Sequence, residues 1–227
     1  NLAYIKILDA IQLYENIKGK SLFKADCYKS IGEIEYNRGN YSEAIKNYKA
    51  ALKTYKKEND DYYHALTLNR IANSYIFKKD YKNARIYSND ALKLANEKDF
   101  NSIKTISKFL LGEIDYEEGN YSKAKAEINE VLLDYRKAKN INEIYSSLLL
   151  LGKISIETND FKNAHKYLNE GLLISDTIKA PRESQEFYYY KSKLETKRGN
   201  YKNAHKYLEL YSQLKDSLDI VNNSKEI

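Results

Sequence analysis

The stretch GNYSEAIKNYKAAL at residues 39–52 contains the pattern that decides the fold. It opens with a turn followed by an aromatic residue, and the same arrangement returns as KKDY, EGNY, TNDF and RGNY. The aromatic residue falls every 40 residues, at Tyr41, Tyr81, Tyr121, Phe161 and Tyr201. Because this spacing never slips, it predicts five copies of one structural unit.

The segments on either side of the first turn have the periodicity of helices. Apolar residues recur three and four apart before the turn, at Tyr28, Ile31 and Ile34, and after it, at Tyr41, Ala44, Ile45, Tyr48, Ala51 and Leu52. Gly39 and Asn40 tolerate the positive φ that ends a helix, and an Asn or Asp before the aromatic residue helps to start the next. Each period is therefore predicted to be a helical hairpin.

Small residues recur on both helices of the predicted hairpin. Alanine returns in the second helices at Ala44, Ala84, Ala124, Ala164 and Ala204. The first helices carry Gly32, Ala72, Gly112 and Gly152. A helical glycine costs about 1 kcal/mol relative to alanine, so its recurrence indicates a packing requirement. We expect these two sets of small residues to face each other.

At these residues the sequence resembles the tetratricopeptide repeat (TPR) family. The matching residues are Ile31-Gly32, Gly39-Asn40-Tyr41, Ala44, Tyr48 and Ala51-Leu52, and the third period repeats them with Leu111-Gly112, Gly119-Asn120-Tyr121, Ala124, Ile128 and Leu132. The resemblance implies an all-α fold, a right-handed superhelical solenoid of antiparallel helix hairpins. The period of 40 exceeds the usual 34, and the closing proline is missing, which implies helices of about 17 residues. HEAT repeats have a similar period and are the alternative, but their pattern lacks this spacing of glycine, turn aromatic and alanine.

The register predicts the organisation of the whole chain as one solenoid domain over residues 1–227. Residues 1–20 align with the second helix of a truncated repeat, and residues 221–227 would begin a linker. Five repeats are expected in between, at 21–60, 61–100, 101–140, 141–180 and 181–220. The chain starts at Asn1 and contains no methionine, so we expect it to be part of a larger protein.

Composition limits the partners and the compartment. The formal charge is +6, but 38 basic residues are interleaved with 32 acidic ones, so a nucleic-acid partner is not expected. No run approaches the roughly 20 apolar residues of a membrane span. These observations leave both the cytoplasm and the periplasm open as locations.

Catalytic and metal-binding signatures are missing from the sequence, which has neither a phosphate-binding loop nor a nucleophile motif. The single cysteine, Cys27, has the helical spacing of a buried apolar residue. His165 and His205 belong to the duplicated segment NAHKYL, where a surface position explains them better than a zinc pair without a third ligand. We therefore expect a non-enzyme without a cofactor or a metal.

The TPR resemblance places a concave groove on the first helix of each hairpin. Its predicted lining residues are aromatic, amide and charged side chains that suit an extended peptide or a partner helix: Lys29, Tyr36, Asn69, Arg70, Asn73, Phe77, Glu113, Tyr116, Lys153, Tyr189 and Lys193. The alternative is a groove without a dedicated ligand. One TPR subclass holds a C-terminal carboxylate with a Lys and Asn clamp, and only Lys29 fits that pattern here, because Glu33, Arg70, Ile106 and Leu110 stand at the other places.

The end of the chain bears on the wider function. The segment YLELYSQLKDSLDIVNNSKEI (207–227) resembles the exit segment of bacterial TPR modules that feed a histidine kinase or a DNA-binding output domain. A sensing or interaction module of such a protein is the leading interpretation. A free-standing assembly scaffold, a quorum-peptide receptor and a nucleic-acid-binding solenoid are the alternatives.

An apolar heptad stripe marks the last predicted helix, with Tyr211, Leu214, Leu218 and Val221 at spacings of three and four. The helix should therefore run on to about Asn222. Such a stripe would either form a homodimer through a coiled coil or fold back as a capping helix.

Overall fold

The computed structural model of the protein describes residues 2–15, 17 and 21–223, and within them all regular structure is α-helical. Eleven helices follow one another in this part of the chain: α1 (Leu2–Glu15), α2 (Ser21–Asn37), α3 (Tyr41–Lys57), α4 (Asp61–Phe77), α5 (Tyr81–Glu97), α6 (Asn101–Glu117), α7 (Tyr121–Lys137), α8 (Ile141–Glu157), α9 (Phe161–Thr177), α10 (Pro181–Lys197) and α11 (Tyr201–Asn223). The prediction of an all-α protein of antiparallel hairpins is confirmed. None of these helices is both long enough and apolar enough to cross a membrane.

The helices keep the register of the sequence. Helices α2 to α10 have 17 residues each, and the first helices of the hairpins begin at the expected residues, from Ser21 to Pro181. Pro181 stands in the first turn of α10, where its missing N–H costs no hydrogen bond. The last helix is longer and ends at Asn223, close to the predicted end. The assignment of the helices to one domain of five repeats stays a prediction.

Short turns of one kind join the helices from α2 onward. In each turn the middle residue has a positive φ, between 54° and 82°, and the next residue returns to an ordinary backbone conformation. That next residue donates its N–H to a carbonyl five residues earlier, as Asn40 does to Glu35 at 2.9 Å, which is the Schellman arrangement. Only Gly39 of the predicted pair has a positive φ, because Asn40 has a φ of −83°.

The residue before each second helix acts in two different ways. Asp80 and Asp160 cap their helices, because each carboxylate accepts from the backbone N–H three residues later, at 3.2 Å and 3.3 Å. Asn40 makes no such cap. Its side chain donates instead to the buried carboxylate of Glu35 at 2.7 Å, which also accepts from Arg38 at 2.7 Å. The prediction that this residue starts the helix is therefore right for the aspartates and wrong for Asn40.

The chain forms two compact units, Asn1–Ile114 and Asp115–Ile227, and the boundary lies within α6. Unit 1 has core clusters that include Ala44, Ile45, Tyr48 and Ile71, and Ala72, Ile76, Ala84, Leu110 and Ile114. Unit 2 has a core cluster of Ile156, Ala164, Leu168, Phe187 and Leu194. In both units the apolar faces of the first and second helices supply the core, as the periodicity predicted.

Ala72 shares a core cluster with the second-helix alanine Ala84, as expected, but at Gly32 and Gly152 the nearest side chain is not that of an alanine. A Cβ at Gly32 would lie 2.6 Å from the ring of Tyr48, and one at Gly152 would lie 2.6 Å from Cδ2 of Leu168. Each glycine therefore faces a large residue one helical turn beyond the alanine. The expectation is corrected accordingly: a small residue makes room for a bulky partner.

Candidate functional site

Two groups of side chains on the first helices contain most of the predicted groove residues, and each group lies within one unit. In unit 1 we define the aromatic patch as Tyr36, Tyr41, Asn73 and Phe77. In unit 2 we define the tyrosine–lysine row as Tyr116, Lys153, Tyr189, Tyr190 and Lys193. Their geometry is described separately.

The aromatic patch is built from the ends of α2 and α4 and the start of α3. The ring of Phe77 stacks on Tyr41 with centroids 5.1 Å apart and an angle of 23°. Tyr36 presents its edge to Phe77 at 5.5 Å and to Tyr41 at 5.6 Å. Phe77 is nevertheless 51% exposed. The patch therefore offers a large apolar ring that is held in place by its neighbours and is still open to a partner.

A polar network adjoins these rings. Nδ2 of Asn73 donates to the hydroxyl of Tyr36 at 2.9 Å. Burial raises the pKa of Tyr36 well above its ordinary value, the charge of Glu113 adds to the rise, and Asn73 and Arg70 oppose it. The phenol therefore stays protonated near neutral pH. Because Glu113 and Arg70 both act on Tyr36, α4 and α6 contribute charge to the surroundings of this α2 side chain.

Charged side chains border the patch in unit 1. Nε of Arg70 lies 4.0 Å from Oε1 of Glu33, and both side chains are nearly half exposed. Lys29 lies further along, with its Nζ 4.5 Å from the centroid of the Tyr63 ring and 3.4 Å from Asp26. Exposed ion pairs of this kind add little to stability, so they remain free to exchange partners with a ligand.

Asn69 does not belong to this surface. It is 2% exposed, its Nδ2 donates to the carbonyl of Ile103 at 3.4 Å, and its Oδ1 accepts from Ser107 at 3.0 Å. The amide joins α4 to α6 because a buried polar group needs partners for both its donor and its acceptor. We correct the prediction and remove Asn69 from the candidate site.

The tyrosine–lysine row alternates cations and rings across the end of α6, α8 and α10. Nζ of Lys153 lies 5.0 Å from the centroid of Tyr116 and 5.4 Å from that of Tyr190. Nζ of Lys193 lies 4.7 Å from the centroid of Tyr189 and 5.4 Å from that of Tyr190. The row brings together all four predicted groove residues of unit 2 and adds Tyr190.

The electrostatics keep the row in one charge state near neutral pH. Burial raises the pKa of Tyr116 and of Tyr190, and Lys193 opposes the shift at Tyr190. A hydrogen bond with Tyr189 raises the pKa of Lys193. Among the described residues, neither Lys153 nor Lys193 has a carboxylate within ion-pair distance. Both ammonium groups therefore rest on ring faces, where a cation is stabilised by about 0.5–1 kcal/mol at an exposed site.

Sequence reasoning missed Tyr41 as a site residue, because the turn pattern explained it fully. The signal that could have found it is its place next to Phe77. In the 40-residue register, Phe77 stands where the other first helices have Asn37, Glu117, Glu157 and Lys197. An aromatic residue at a position that is otherwise polar needs a stacking partner.

The histidines and the cysteine have ordinary surroundings. His165 lies 2.8 Å from the carboxylate of Glu195, and His205 lies 3.3 Å from that of Glu209. Cys27 is half-buried, and burial raises the pKa of its thiol. In the part of the chain that the structure describes, no group of three or more His, Cys, Asp or Glu side chains could hold a metal ion.

Comparison with known proteins finds one matching family model and several structures with the same fold. The family model described as "Tetratricopeptide repeat" matches residues 24–97. Three solved structures have the same fold. BtubC (BKLC) from P. vanneervenii has a TM-score of 0.76 and 14% identity, a Rap protein complexed with Competence and Sporulation Factor has 0.78 and 18%, and the Rap conjugation gene regulator of plasmid pLS20 in complex with the Phr* peptide has 0.75 and 18%. No curated protein sequence matches the chain.

Residues 24–97 thus resemble a tetratricopeptide repeat, and the chain shares the helical-repeat fold of the solved structures. It aligns over 96% of its own length with 89% of BtubC. It spans less of the two Rap proteins, because 94% and 90% of this chain cover 61% and 57% of theirs. The TM-scores establish the fold, whereas identities of 14–18% leave the function to be argued from the surface.

Proposed function

We propose that this protein is a non-catalytic module that binds a peptide or a protein segment through the first-helix faces of its hairpins. The observation that carries the proposal is Phe77, whose ring is 51% exposed although it stacks on Tyr41. A fixed, exposed aromatic ring next to amide and charged groups is typical of the residues that dominate binding energy at interfaces.

The similar structures support a ligand of this kind. One was solved in complex with the Phr* peptide and another with Competence and Sporulation Factor. Asn73 and Arg70 offer this chain amide and guanidinium groups that can bond a peptide backbone or its carboxylates. The row of Lys153 and Lys193 offers a second surface for the same class of ligand.

For the wider context we favour the sensing or interaction module of a larger bacterial signalling protein with a histidine kinase or a DNA-binding output domain. A free-standing assembly scaffold and a quorum-peptide receptor remain the alternatives. A homodimer through α11 is part of this hypothesis. Tyr211, in the heptad stripe, already packs on Tyr189 with ring centroids 5.4 Å apart, so part of the stripe is covered by α10. The side chain of Val221 lies outside the described residues.

A peptide-display selection tests the binding function. We would select random 12-residue peptides on the immobilised protein and measure the affinity of the enriched peptides by calorimetry. Phe77→Ala should weaken binding at least about tenfold, because truncation of a central aromatic anchor commonly costs about 2 kcal/mol or more. Tyr62→Ala is the matched control, since Tyr62 is also an exposed aromatic residue of α4, 42% exposed and outside the patch.

Two results would contradict the proposal. If no peptide were enriched above the background of an unrelated helical protein, the first-helix faces would not be a general peptide site. If Phe77→Ala and Tyr62→Ala had the same effect on an enriched peptide, the aromatic patch would not be where it binds. The affinity of the enriched peptides for the Lys153→Gln and Lys193→Gln variants would then be measured. A loss of affinity in either variant would locate the site within unit 2.

A further inference from the structure

A cleft lies away from the first-helix faces, between the end of α9, the start of α10 and the second half of α11. Its volume is about 600 Å³. This lies within the range of small-molecule sites, which is roughly 300–1,000 Å³. Its walls are largely apolar and include Pro181, Leu210 and Leu214, and its polar groups include Ser175, Asp176 and Ser184. The proposed peptide surface uses none of these residues.

Two core positions at the cleft carry small residues. In the 40-residue register, Ser175 and Ser184 correspond to Tyr135 and Ile144 of the preceding pair of helices. Tyr135 and Ile144 are buried and fill that space with large side chains. Ser175 and Ser184 are buried as well, at 0% and 4% exposed, but each has only a hydroxymethyl group. Where the preceding pair of helices has these large side chains, this pair has an open cleft whose lining includes two hydroxyls.

One of the two hydroxyls donates to the backbone and the other to a carboxylate, because Oγ of Ser175 donates to the carbonyl of Leu172 at 2.9 Å. Oγ of Ser175 lies 2.9 Å from Oγ of Ser184, and Ser184 donates to Oδ1 of Asp176 at 2.8 Å. Ser184 thus uses its one hydrogen on Asp176, which fixes the carboxylate at the edge of the cleft. The second carboxylate oxygen is left for a donor outside this network.

The Asp176 carboxylate acts on the aromatic ring of the cleft, whose lining also includes Lys179. Burial raises the pKa of the Tyr188 phenol, and the charges of Asp176 and of Tyr207 raise it further. The ring of Tyr188 is held by stacking on Tyr207, with centroids 6.3 Å apart. A carboxylate, a fixed aromatic face and apolar walls are together the chemistry that recognises an organic cation.

We propose that this cleft binds a small organic cation, with its ammonium group at Asp176 and Tyr188 and its apolar body between Leu210, Leu214 and Pro181. The ligand is a free amine with an aliphatic or aromatic body. Lys179 also lines the cleft, so the experiment compares a cation with an anion of the same chain length.

An NMR titration with three matched probes makes this comparison. Hexylamine, hexan-1-ol and hexanoate share a six-carbon chain, but near neutral pH the first is a cation, the second is neutral and the third is an anion. Each would be added to the isotope-labelled full chain. Hexylamine should give saturable shifts of the Ser184 and Gln213 amides with a dissociation constant in the millimolar range, as expected for a ligand of seven heavy atoms. Hexan-1-ol should bind at least fivefold more weakly, and hexanoate should give no saturable shift. Equal binding of the three probes, or preference for hexanoate, would overturn the proposal.

Variants test the location of the site. Asp176→Asn keeps the shape and should weaken hexylamine binding at least fivefold. Asp134→Asn, which removes a carboxylate of α7 outside the cleft, should leave it unchanged. Ser175→Tyr with Ser184→Ile restores the side chains of the preceding helix pair and should abolish binding. If this double variant fails to fold, Ser184→Ile alone serves the same purpose. Unchanged binding to Asp176→Asn would refute the assignment.

A lysine side chain of a peptide carries the same ammonium group. The fourth probe is therefore Nα-acetyl-lysine N-methylamide, in which the side-chain ammonium group is free. It should bind no more tightly than hexylamine. Tighter binding of the lysine derivative would overturn the assignment to a free amine and make the cleft a subsite for a peptide lysine.

Discussion

The ring of Tyr48 lies directly against the α-carbon of Gly32, so that a Cβ at residue 32 would come within 2.6 Å of two ring carbons. Tyr48 is 1% exposed and belongs to a packed cluster with Ala44, Ile45 and Ile71, so its ring has little room to move. One period later Ala72 and Ser88 stand at the equivalent positions. The small Ser88 thus stands opposite an alanine, whereas the large Tyr48 stands opposite a glycine.

Gly32→Ala should therefore destabilise the protein, although alanine is the better helix former by about 1 kcal/mol. We expect a net loss of about 1–3 kcal/mol in the free energy of unfolding, the usual cost of forcing extra atoms into a packed core. Urea unfolding followed by circular dichroism measures it. Gly152→Ala should cost less, because its Cβ would meet the end of a flexible Leu168 side chain rather than a ring.

The pairing is tested by a double-mutant cycle. In a Tyr48→Ser background, which reproduces Ser88, Gly32→Ala should become neutral or stabilise by about 0.5–1 kcal/mol, because only the helix propensity remains. An equal cost of Gly32→Ala in both backgrounds would show that the ring is not the cause.

At the turns, replacing a lysine that has a positive φ should stabilise the protein. Lys79 has a φ of 57°, a conformation that costs a residue with a side chain about 1 kcal/mol. Lys79→Gly should raise the free energy of unfolding by about 0.5–1 kcal/mol, measured in the same urea experiment. Lys78→Gly is the control, because Lys78 has a φ of −79° and gains nothing from glycine. A stabilising Lys78→Gly would contradict the explanation.

The sequence was sufficient to predict what depends on spacing. The helix starts and the two-helix unit follow from the recurrence of the aromatic residues, because a hairpin with a three-residue turn has a fixed length. The turn conformation was harder to predict at Lys79, Lys139 and Lys179, since a lysine does not mark a left-handed residue as a glycine does. At these turns the regular length of the helices determines the backbone conformation, and the lysine adopts a positive φ although its side chain disfavours it.

The candidate site was less predictable, because it depends on how side chains from different helices meet. Phe77 and Asn69 both occupy positions that the TPR resemblance assigns to the groove, yet Phe77 is half exposed and Asn69 is buried. The difference comes from Ser107 and the Ile103 carbonyl, which satisfy the Asn69 amide from the next first helix. A single-helix pattern contains no information on such partners.

The contribution of Asp160, the N-cap of α9, can be tested by measuring the free energy of unfolding at acidic pH. Hydrogen bonds from Lys125 and Asn163 hold the pKa of Asp160 at about 2, below its ordinary value. The carboxylate therefore stabilises the fold fully above about pH 4, and this contribution is lost as the pH falls toward about 2. Asp160→Ala should cost about 1 kcal/mol at pH 7, the typical value of an N-cap, and clearly less at pH 2, where about half of the native carboxyl groups are protonated.

Asp90→Ala provides the control for that pH series. Asp90 is exposed on α5, so its replacement should change the free energy of unfolding by no more than about 0.5 kcal/mol at any pH. A cost of Asp160→Ala that persisted undiminished at pH 2 would mean that the side chain acts through packing and not through its charge.

Lys191 is a buried charge at a position where four other first helices have Ile31, Ile71, Leu111 and Leu151. It is 7% exposed, its Nζ donates to Asn169 at 2.7 Å and lies 4.5 Å from the centroid of Tyr207, and no described carboxylate is within ion-pair distance. Because the loss of hydration is repaid only in part, Lys191→Leu should raise the free energy of unfolding by about 1–2 kcal/mol. Lys193→Leu, at an exposed position of the same helix, should not raise it and should lower it by at most about 1 kcal/mol, because its contacts with the Tyr189 and Tyr190 rings are lost. A destabilising Lys191→Leu would mean that Asn169 and the Tyr207 ring fully compensate the buried ammonium group.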